Sequence, residues 1–190
     1  GTMQNITDRK TIENRLVELS QTDELTRIYN RRYLLASLRE AIEKYGTHTN
    51  DSDSAVLALL DLDNFKAIND QYGHEAGDHV LQKLSKFLTE FVRSSDVVAR
   101  TGGEEFVILM HNTNLHHALP PLENMLDGIR QLEFQFANQP LSISATIGVT
   151  EIQPEDNDTS DVLVRADRAL YHGKNYGRDQ IVTWDAIKKS

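Results

Sequence analysis

The sequence predicts an α/β sandwich of the α+β kind, a mixed, largely antiparallel central sheet flanked by helices. Three observations lead there. Segments with apolar residues at helical spacing alternate with short β-branched or apolar runs, over 190 residues that suffice for one substantial core. Two of the runs, "DVVART" and "EEFVILM", flank Gly102-Gly103, a pair suited to a two-residue hairpin turn, so a β-hairpin interrupts the alternation. The longest apolar runs, "AVLALL" and "FVILM", fall far short of the roughly 18 residues of a membrane helix.

In chain order, residues 5–21 are polar apart from Ile6, Ile12, Leu16, Val17 and Leu19, whose spacing fits a short amphipathic helix. It packs on its own domain or links to an upstream one. Residues 46–54, "GTHTNDSDS", have loop composition, and "AVLALLDLDNF" reads as a buried strand ending in acids. "KAINDQYGHEAGD" gives a short helix and a turn, and Val80, Leu81, Leu84, Phe87, Leu88, Phe91 and Val92 mark a long helix. After the hairpin, Leu115, Leu119, Leu122, Leu126, Ile129 and Leu132 mark another, with Pro120 and Pro121 placed at or near its first turn. "LSISATIGVTEI" is a strand, "DVLVRADRALYHGKNYG" a helix closed by Gly177, and "QIVTW" a last strand.

Composition narrows the chemistry. With 29 acidic against 20 basic residues, the net charge of -9 disfavours a nonspecific nucleic-acid or anionic-membrane surface, so an anionic ligand needs local cations. The absence of cysteine excludes disulfides and thiolate zinc sites and agrees with a reducing, cytoplasmic compartment.

Asp61 and Asp63 in "LLDLDNF" share a strand face until the strand ends. Acids at a strand end are often merely solvated, yet Asp61 follows an apolar run directly, where burial is costly unless a cation compensates. Magnesium takes hard oxygen ligands, and Asp61 with a hairpin glutamate supplies them. By strand alternation Glu104 and Glu105 point to different sides and do different jobs; two exposed acids at a turn are the bland alternative. "HEAGDH" is not a zinc signature, because position 78 is aspartate and Gly77 is expected to break the helix. The remaining histidines read as surface residues.

Four motifs in order, "DELTRIYNRRYL", "DLDNFKAINDQYGHEAGD", "RTGGEEF" and "ADRALYHGKNYGRDQI", together resemble the GGDEF family of diguanylate cyclases over about residues 21–185. The resemblance implies a fold like the palm of nucleotide polymerases and adenylyl cyclases, and condensation of two GTP into cyclic di-GMP with release of two pyrophosphates. It implies two Mg2+ per site, with Mn2+ as a possible substitute, held by Asp61, Glu104 and the Leu62 carbonyl. It makes Glu104, Glu105 and Lys66 catalytic, with Glu105 placed for proton abstraction. Lys66, Lys174 and Arg178 match phosphate contacts, and Asn69 and Asp78 match the guanine-binding pair, although Asp78 also reads as a helix N-cap. "RSSD" lies at the offset of the family's inhibitory product site, which implies Arg93 and Asp96 as cyclic di-GMP contacts, with Arg130 a weak candidate for a second arginine.

The resulting organisation is a cloning remnant at 1–3, a signalling or linker helix at 4–21 and a catalytic domain at 22–190. "NITDRK" looks like the tail of a PAS sensor domain, so a missing upstream input module is expected, and a homodimer is expected for turnover. Full-length protein can be membrane-attached, but no membrane span or nucleic-acid surface is expected in this segment. Arg27 stands where the family usually has glycine and Gly173 where it usually has alanine. These departures leave a second reading, a catalytically silent module that binds cyclic di-GMP or GTP.

Overall fold

The computed structural model describes residues 2–47 and 53–189. Part of the predicted loop, residues 48–52, lies outside the described residues. A six-stranded sheet has the order β1-β3-β4-β2-β7-β8, with β1 Tyr29–Asn30, β2 Val56–Leu62, β3 Val97–Gly102, β4 Glu105–Met110, β7 Ala145–Glu151 and β8 Ile181–Thr183. Its outer pairs β1–β3 and β7–β8 are parallel and the three inner pairs antiparallel, so the sheet is mixed and largely antiparallel as the sequence predicts.

Alternation along β2 divides the core into two layers. Val56, Ala58, Leu60 and Leu62 pack with α3 (Phe65–Tyr72), α4 (His74–Phe91) and α5 (Leu115–Arg130). Leu57 and Leu59 face α2 (Arg31–Tyr45) and α6 (Thr159–Asn175). Helix α6 lies close on the sheet because Gly148 has no side chain: a Cβ there would come 2.2 Å from Ala166 O. Asp158 starts α6 with a capping box that also uses Asp161, a device that stabilises a helix by about 1 kcal/mol.

Several elements differ from the sequence expectation. Helix α2 was not among the predicted elements, although Leu34, Leu38, Ala41, Ile42 and Tyr45 are buried at helical spacing. A second two-stranded sheet, β5 (Phe134–Phe136) with β6 (Gln139–Leu141), precedes the strand predicted from Leu141, which begins only at Ala145. A four-residue helix α7, Trp184–Ile187, follows β8. Pro120 and Pro121 lie in the second turn of α5, near its first turn as expected, and Asn114 caps the helix by accepting from His117 N.

Helix α1, Thr2–Gln21, has Ile6, Ile12, Leu16 and Val17 exposed at 66%, 58%, 60% and 51%. These four side chains are therefore not packed on the domain, and of the two expectations for this helix the packed one fails for them.

Candidate active site

The end of β2, inside the sheet, gathers four acids: Asp61, Asp63, Glu104 and Glu105. Asp61 pairs in register with Glu105 on one side and Thr146 on the other. It continues the row of Leu57 and Leu59 that faces α2 and α6. From α6, Lys174 extends its ammonium into this corner, with Nζ 2.7 Å from Asp61 Oδ1 and 2.8 Å from Asp63 Oδ1. The same nitrogen donates to the carbonyl oxygens of Asp61 and Leu62, both at 3.2 Å. Burial pushes the Asp61 carboxyl above its ordinary value; Lys174 opposes the shift, and the charges of Glu104 and Asp63 add to it.

Asp63 lies just past the strand and is a hub. It accepts from Ser144 Oγ and Thr146 Oγ1, each at 2.7 Å, and from the backbone N–H of Asp179 at 3.0 Å, besides Lys174. Burial alone would raise its carboxyl, but the bonds from Lys174, Thr146 and Ser144 hold it below the usual range. Through Asp179, Asp63 fixes the loop that carries Arg178, which is exposed and has φ 59°.

The hairpin turn is displaced by one residue from the predicted Gly102-Gly103. A bulge between Arg100 and Gly102 leaves Gly102 opposite Glu105, so Gly103 and Glu104 form the turn. Glu104 is thus in the turn itself, not beyond it, and its carbonyl accepts from Leu62 N–H at 3.3 Å. Glu105 opens β4 beside Asp61. Its carboxyl is pushed up by burial and then by the charges of Asp61, Asp167 and Glu104, while Arg31 opposes. Asp167 on α6 and Arg31 on α2 were not singled out in the sequence, where nothing marks them as neighbours of Glu105.

On the other side of Asp63, the α3–α4 corner holds the residues matched to guanine. Asn69 Oδ1 is buried and has no hydrogen-bond partner. A Cβ on Gly77 would lie 1.9 Å from that oxygen, so the glycine makes room for the asparagine. Helix α4 runs unbroken through Gly77, contrary to expectation; Asp78 at the fifth position of "HEAGDH", where the zinc pattern needs histidine, alone removes that pattern. Asp78 is not the N-cap, a place that Gly73 takes, and it stands exposed in α4. Lys66 is exposed in the first turn of α3.

Arg93 and Asp96 occupy the turn between α4 and β3. The Asp96 side chain is only 2% exposed and accepts from Arg93 N at 3.3 Å, Arg93 Nε at 3.3 Å and His111 N at 3.1 Å, while Arg93 stays 58% exposed. Arg93 also donates to His111 O at 3.0 Å. The pair therefore grips the residue that follows β4. A cavity of about 350 Å³ opens beside it, lined by Phe91, Met110, His117 and Met125 among others. Arg130 is engaged elsewhere, with Asp127 and Asp179 in the last turn of α5. His111 is not a surface residue as expected: it is half-buried, and burial lowers its imidazole pKa.

The donor set suits a hard divalent cation. No group of three or more His, Asp or Glu side chains able to hold a metal occurs among the described residues, and the acids expected to hold one, Asp61 and Glu104, lie close enough for the Glu104 charge to act on the Asp61 carboxyl. A tethered ammonium already stands in for a cation on Asp61 and on the Leu62 carbonyl.

The two departures from the family pattern have local explanations. Arg27 adopts φ 64°, a conformation that glycine takes without strain. It is fixed by Arg27 N–H to Asp23 O at 2.8 Å, and Asp23 pairs with Arg100 at 3.1 Å. A Cβ at Gly173 would come 2.6 Å from Thr146 Cγ2, so alanine does not fit beside this threonine.

A mixed sheet with acids at the end of its central strand and on the adjoining hairpin turn defines a nucleotidyl-cyclase type of domain. Comparison with known proteins gives the particular family: the model of "Diguanylate cyclase, GGDEF domain" matches residues 20–180, and the chain belongs to the GGDEF family. It is 38% identical over 178 residues to diguanylate cyclase DgcP of Pseudomonas aeruginosa, covering 92% of this chain and 26% of that protein. The crystal structure of diguanylate cyclase SiaD in complex with its activator SiaC, also from Pseudomonas aeruginosa, matches with TM-score 0.80 and 37% identity, over 96% of this chain and 70% of that one. The coiled coil and GGDEF domain of DgcB from Caulobacter crescentus, in complex with c-di-GMP, shares the fold with TM-score 0.87 at 23% identity, over 96% and 95% of the two chains. The chain spans between 26% and 54% of the length of the curated relatives DgcP and the Vibrio cholerae diguanylate cyclase. Among the described residues no helix is long and apolar enough to cross a membrane.

Proposed function

We propose that this chain is the catalytic domain of a diguanylate cyclase, joining two GTP into cyclic di-GMP with release of two pyrophosphates. The observation that carries the reading is the Lys174 ammonium seated on the Asp61 carboxylate and the Leu62 carbonyl, against the Glu104 turn. Asp61, Glu104 and the carbonyl of Leu62 would hold Mg2+, or Mn2+ in its place. Two such ions, when bound, supply polarisation of the α-phosphate and neutralise charge on the departing pyrophosphate.

The chain's own groups do the rest. Asn69 offers a buried acceptor and Asp78 a carboxylate for guanine's N1–H and N2–H donors. Lys66, Lys174 and Arg178 bind phosphates, the lysines as point charges and the arginine as a fork. Glu105, whose carboxyl is pushed up by burial and neighbouring acids, accepts the proton of the attacking 3'-hydroxyl. Since each chain offers one such set, a homodimer with facing GTP molecules completes the reaction. Arg93 and Asp96 bind the product as an inhibitor. The domain is the output of a longer cytoplasmic or membrane-attached protein, with α1 leading from an upstream, PAS-like sensor. A silent binding module draws less support now that Arg27 and Gly173 are accommodated locally.

Incubation with GTP and Mg2+, with ATP as control, and identification of the product by mass tests the reading. Cyclic di-GMP is expected from GTP alone, and Glu104→Gln, which removes one charge from the cation site, should lower turnover by orders of magnitude with the fold intact. No cyclic product from dimeric wild type, or near-normal turnover in Glu104→Gln, overturns it.

A further inference from the structure

We infer that Lys174 sets the order in which the site is loaded, keeping the divalent cation out until a triphosphate arrives to take the lysine's charge. The inference rests on the metal assignment to Asp61, Leu62 and Glu104 made above. Its observation is that one ammonium satisfies the side chain and carbonyl of Asp61, the carbonyl of Leu62 and the side chain of Asp63 at once, at 2.7, 3.2, 3.2 and 2.8 Å. Two of these oxygens, on the Asp61 carboxylate and the Leu62 carbonyl, are assigned to the metal. The Lys174 side chain is 21% exposed and that of Asp61 18%, so the pair is screened only in part by solvent. A divalent ion entering this corner alone meets a fixed positive charge and must displace it.

Displacement has a built-in pivot. Asp63 is held by Ser144, Thr146 and the Asp179 backbone independently of Lys174, so it stays in place when the lysine releases Asp61. Asp63 Oδ1 keeps one contact to the ammonium while the other donors turn toward an anion. The loop hung from Asp63 through Asp179 also carries Arg178, so a triphosphate would meet both cations on the same side. Metal and triphosphate exchange charges with Lys174 together: the ion replaces the ammonium on Asp61 and Leu62, and the phosphate receives it. Metal binding and nucleotide binding are therefore positively coupled through this one side chain, and the coupling is reciprocal.

The test reads metal binding, not turnover. Mn2+ is titrated by electron paramagnetic resonance into wild type, Lys174→Met and Lys174→Arg, each with and without 3'-deoxy-GTP, which lacks the attacking hydroxyl. Wild type should bind Mn2+ weakly alone, Lys174→Met about tenfold or more tightly, and Lys174→Arg, which retains a tethered cation, as weakly as wild type. Adding 3'-deoxy-GTP should tighten Mn2+ binding to wild type by a larger factor than to Lys174→Met. Equal affinity in wild type and Lys174→Met sinks the loading order. So does wild type alone binding Mn2+ as tightly as it does with nucleotide, a result that holds even if Lys174→Met fails to fold. Failure of Mn2+ to bind any of the three proteins with nucleotide present overturns the metal assignment itself, and the inference with it.

Discussion

At the residue scale, Glu105 connects burial with chemistry. Its carboxyl is raised first by burial and then by the charges of Asp61, Asp167 and Glu104, so the folded protein holds this proton more tightly than the unfolded chain does. A raised carboxyl contributes stability while protonated, and that contribution is lost as pH climbs from the unfolded value, about 4.3, through the folded one. Glu105→Gln, measured in metal-free buffer, should therefore gain in Tm relative to wild type as pH rises through this window and hold a constant gain above it. A Tm difference independent of pH would show that the charge at position 105 costs the fold nothing. Asp63 runs the other way: its depressed carboxyl contributes stability above the unfolded aspartate value, about 3.9, and loses it as pH falls through the folded value. Asp78 bears on base choice rather than stability. Since Gly73, not Asp78, caps α4, no capping role masks its effect on nucleotide binding. Leaving guanine donors unpaired costs roughly 1–3 kcal/mol per group, so Asp78→Ala should raise KM for GTP and erode discrimination against ATP. Full preference for GTP in that variant would remove Asp78 from the nucleotide site.

At the element scale, α6 meets the start of β7 at Gly173. Alanine there gains helix propensity worth about 1 kcal/mol, but its Cβ, 2.6 Å from Thr146 Cγ2, overpacks the contact at a cost of about 1–3 kcal/mol. Gly173→Ala alone should therefore be destabilised and shift Lys174, one residue along the helix. Thr146→Ser removes the methyl and keeps the hydroxyl that donates to Asp63, so the double variant should recover stability in denaturant titrations. Strict additivity of the two changes would separate the glycine from the threonine. The turn between α4 and β3 makes a second prediction. Arg93 and Asp96 grip His111, the residue after β4, whose other end begins with Glu105, so a product that bound Arg93, as proposed, would pull on the strand that carries this glutamate. Arg93→Ala should keep its initial rate yet lose inhibition by added cyclic di-GMP in progress curves and calorimetry. Unchanged inhibition would make "RSSD" an ordinary turn. These contacts also show what the sequence could carry. The hairpin and β2 were legible because glycines and an unbroken apolar run mark them, but the bulge that moves Glu104 into the turn leaves no such mark. The β5–β6 hairpin escaped because Ala137 and Asn138 form its turn at positive φ without a glycine. Asp63 was visible as a paired acid, but its partners lie 81 to 116 residues away in sequence, so its role as a hub was not.

At the scale of the whole molecule, the site and the N-terminal helix argue for a second copy. Cyclic di-GMP contains two phosphodiester bonds formed from two GTP, and among the described residues the groups assigned to guanine, phosphate and metal occur once, around the end of the interior strand β2. On the proposed function the reaction would need two chains with their β2 ends opposed. Helix α1, at 20 residues about 30 Å long, has Ile6, Ile12, Leu16 and Val17 exposed. Covering those side chains against a second α1 removes apolar surface from water at about 25 cal/mol per Å², less the cost of association, so the dimer should be weak and concentration-dependent. Specific activity should accordingly rise with protein concentration until dimers saturate, with its midpoint at the dissociation constant found by light scattering. Leu16→Asp places like charges on the facing helices and should move both midpoints to higher concentration together, while the turnover of saturated dimers stays unchanged because α1 carries none of the site. A specific activity that stays constant across the monomer–dimer transition would mean that one chain completes the reaction alone; a Leu16→Asp midpoint equal to that of wild type would instead move the dimer contact off α1.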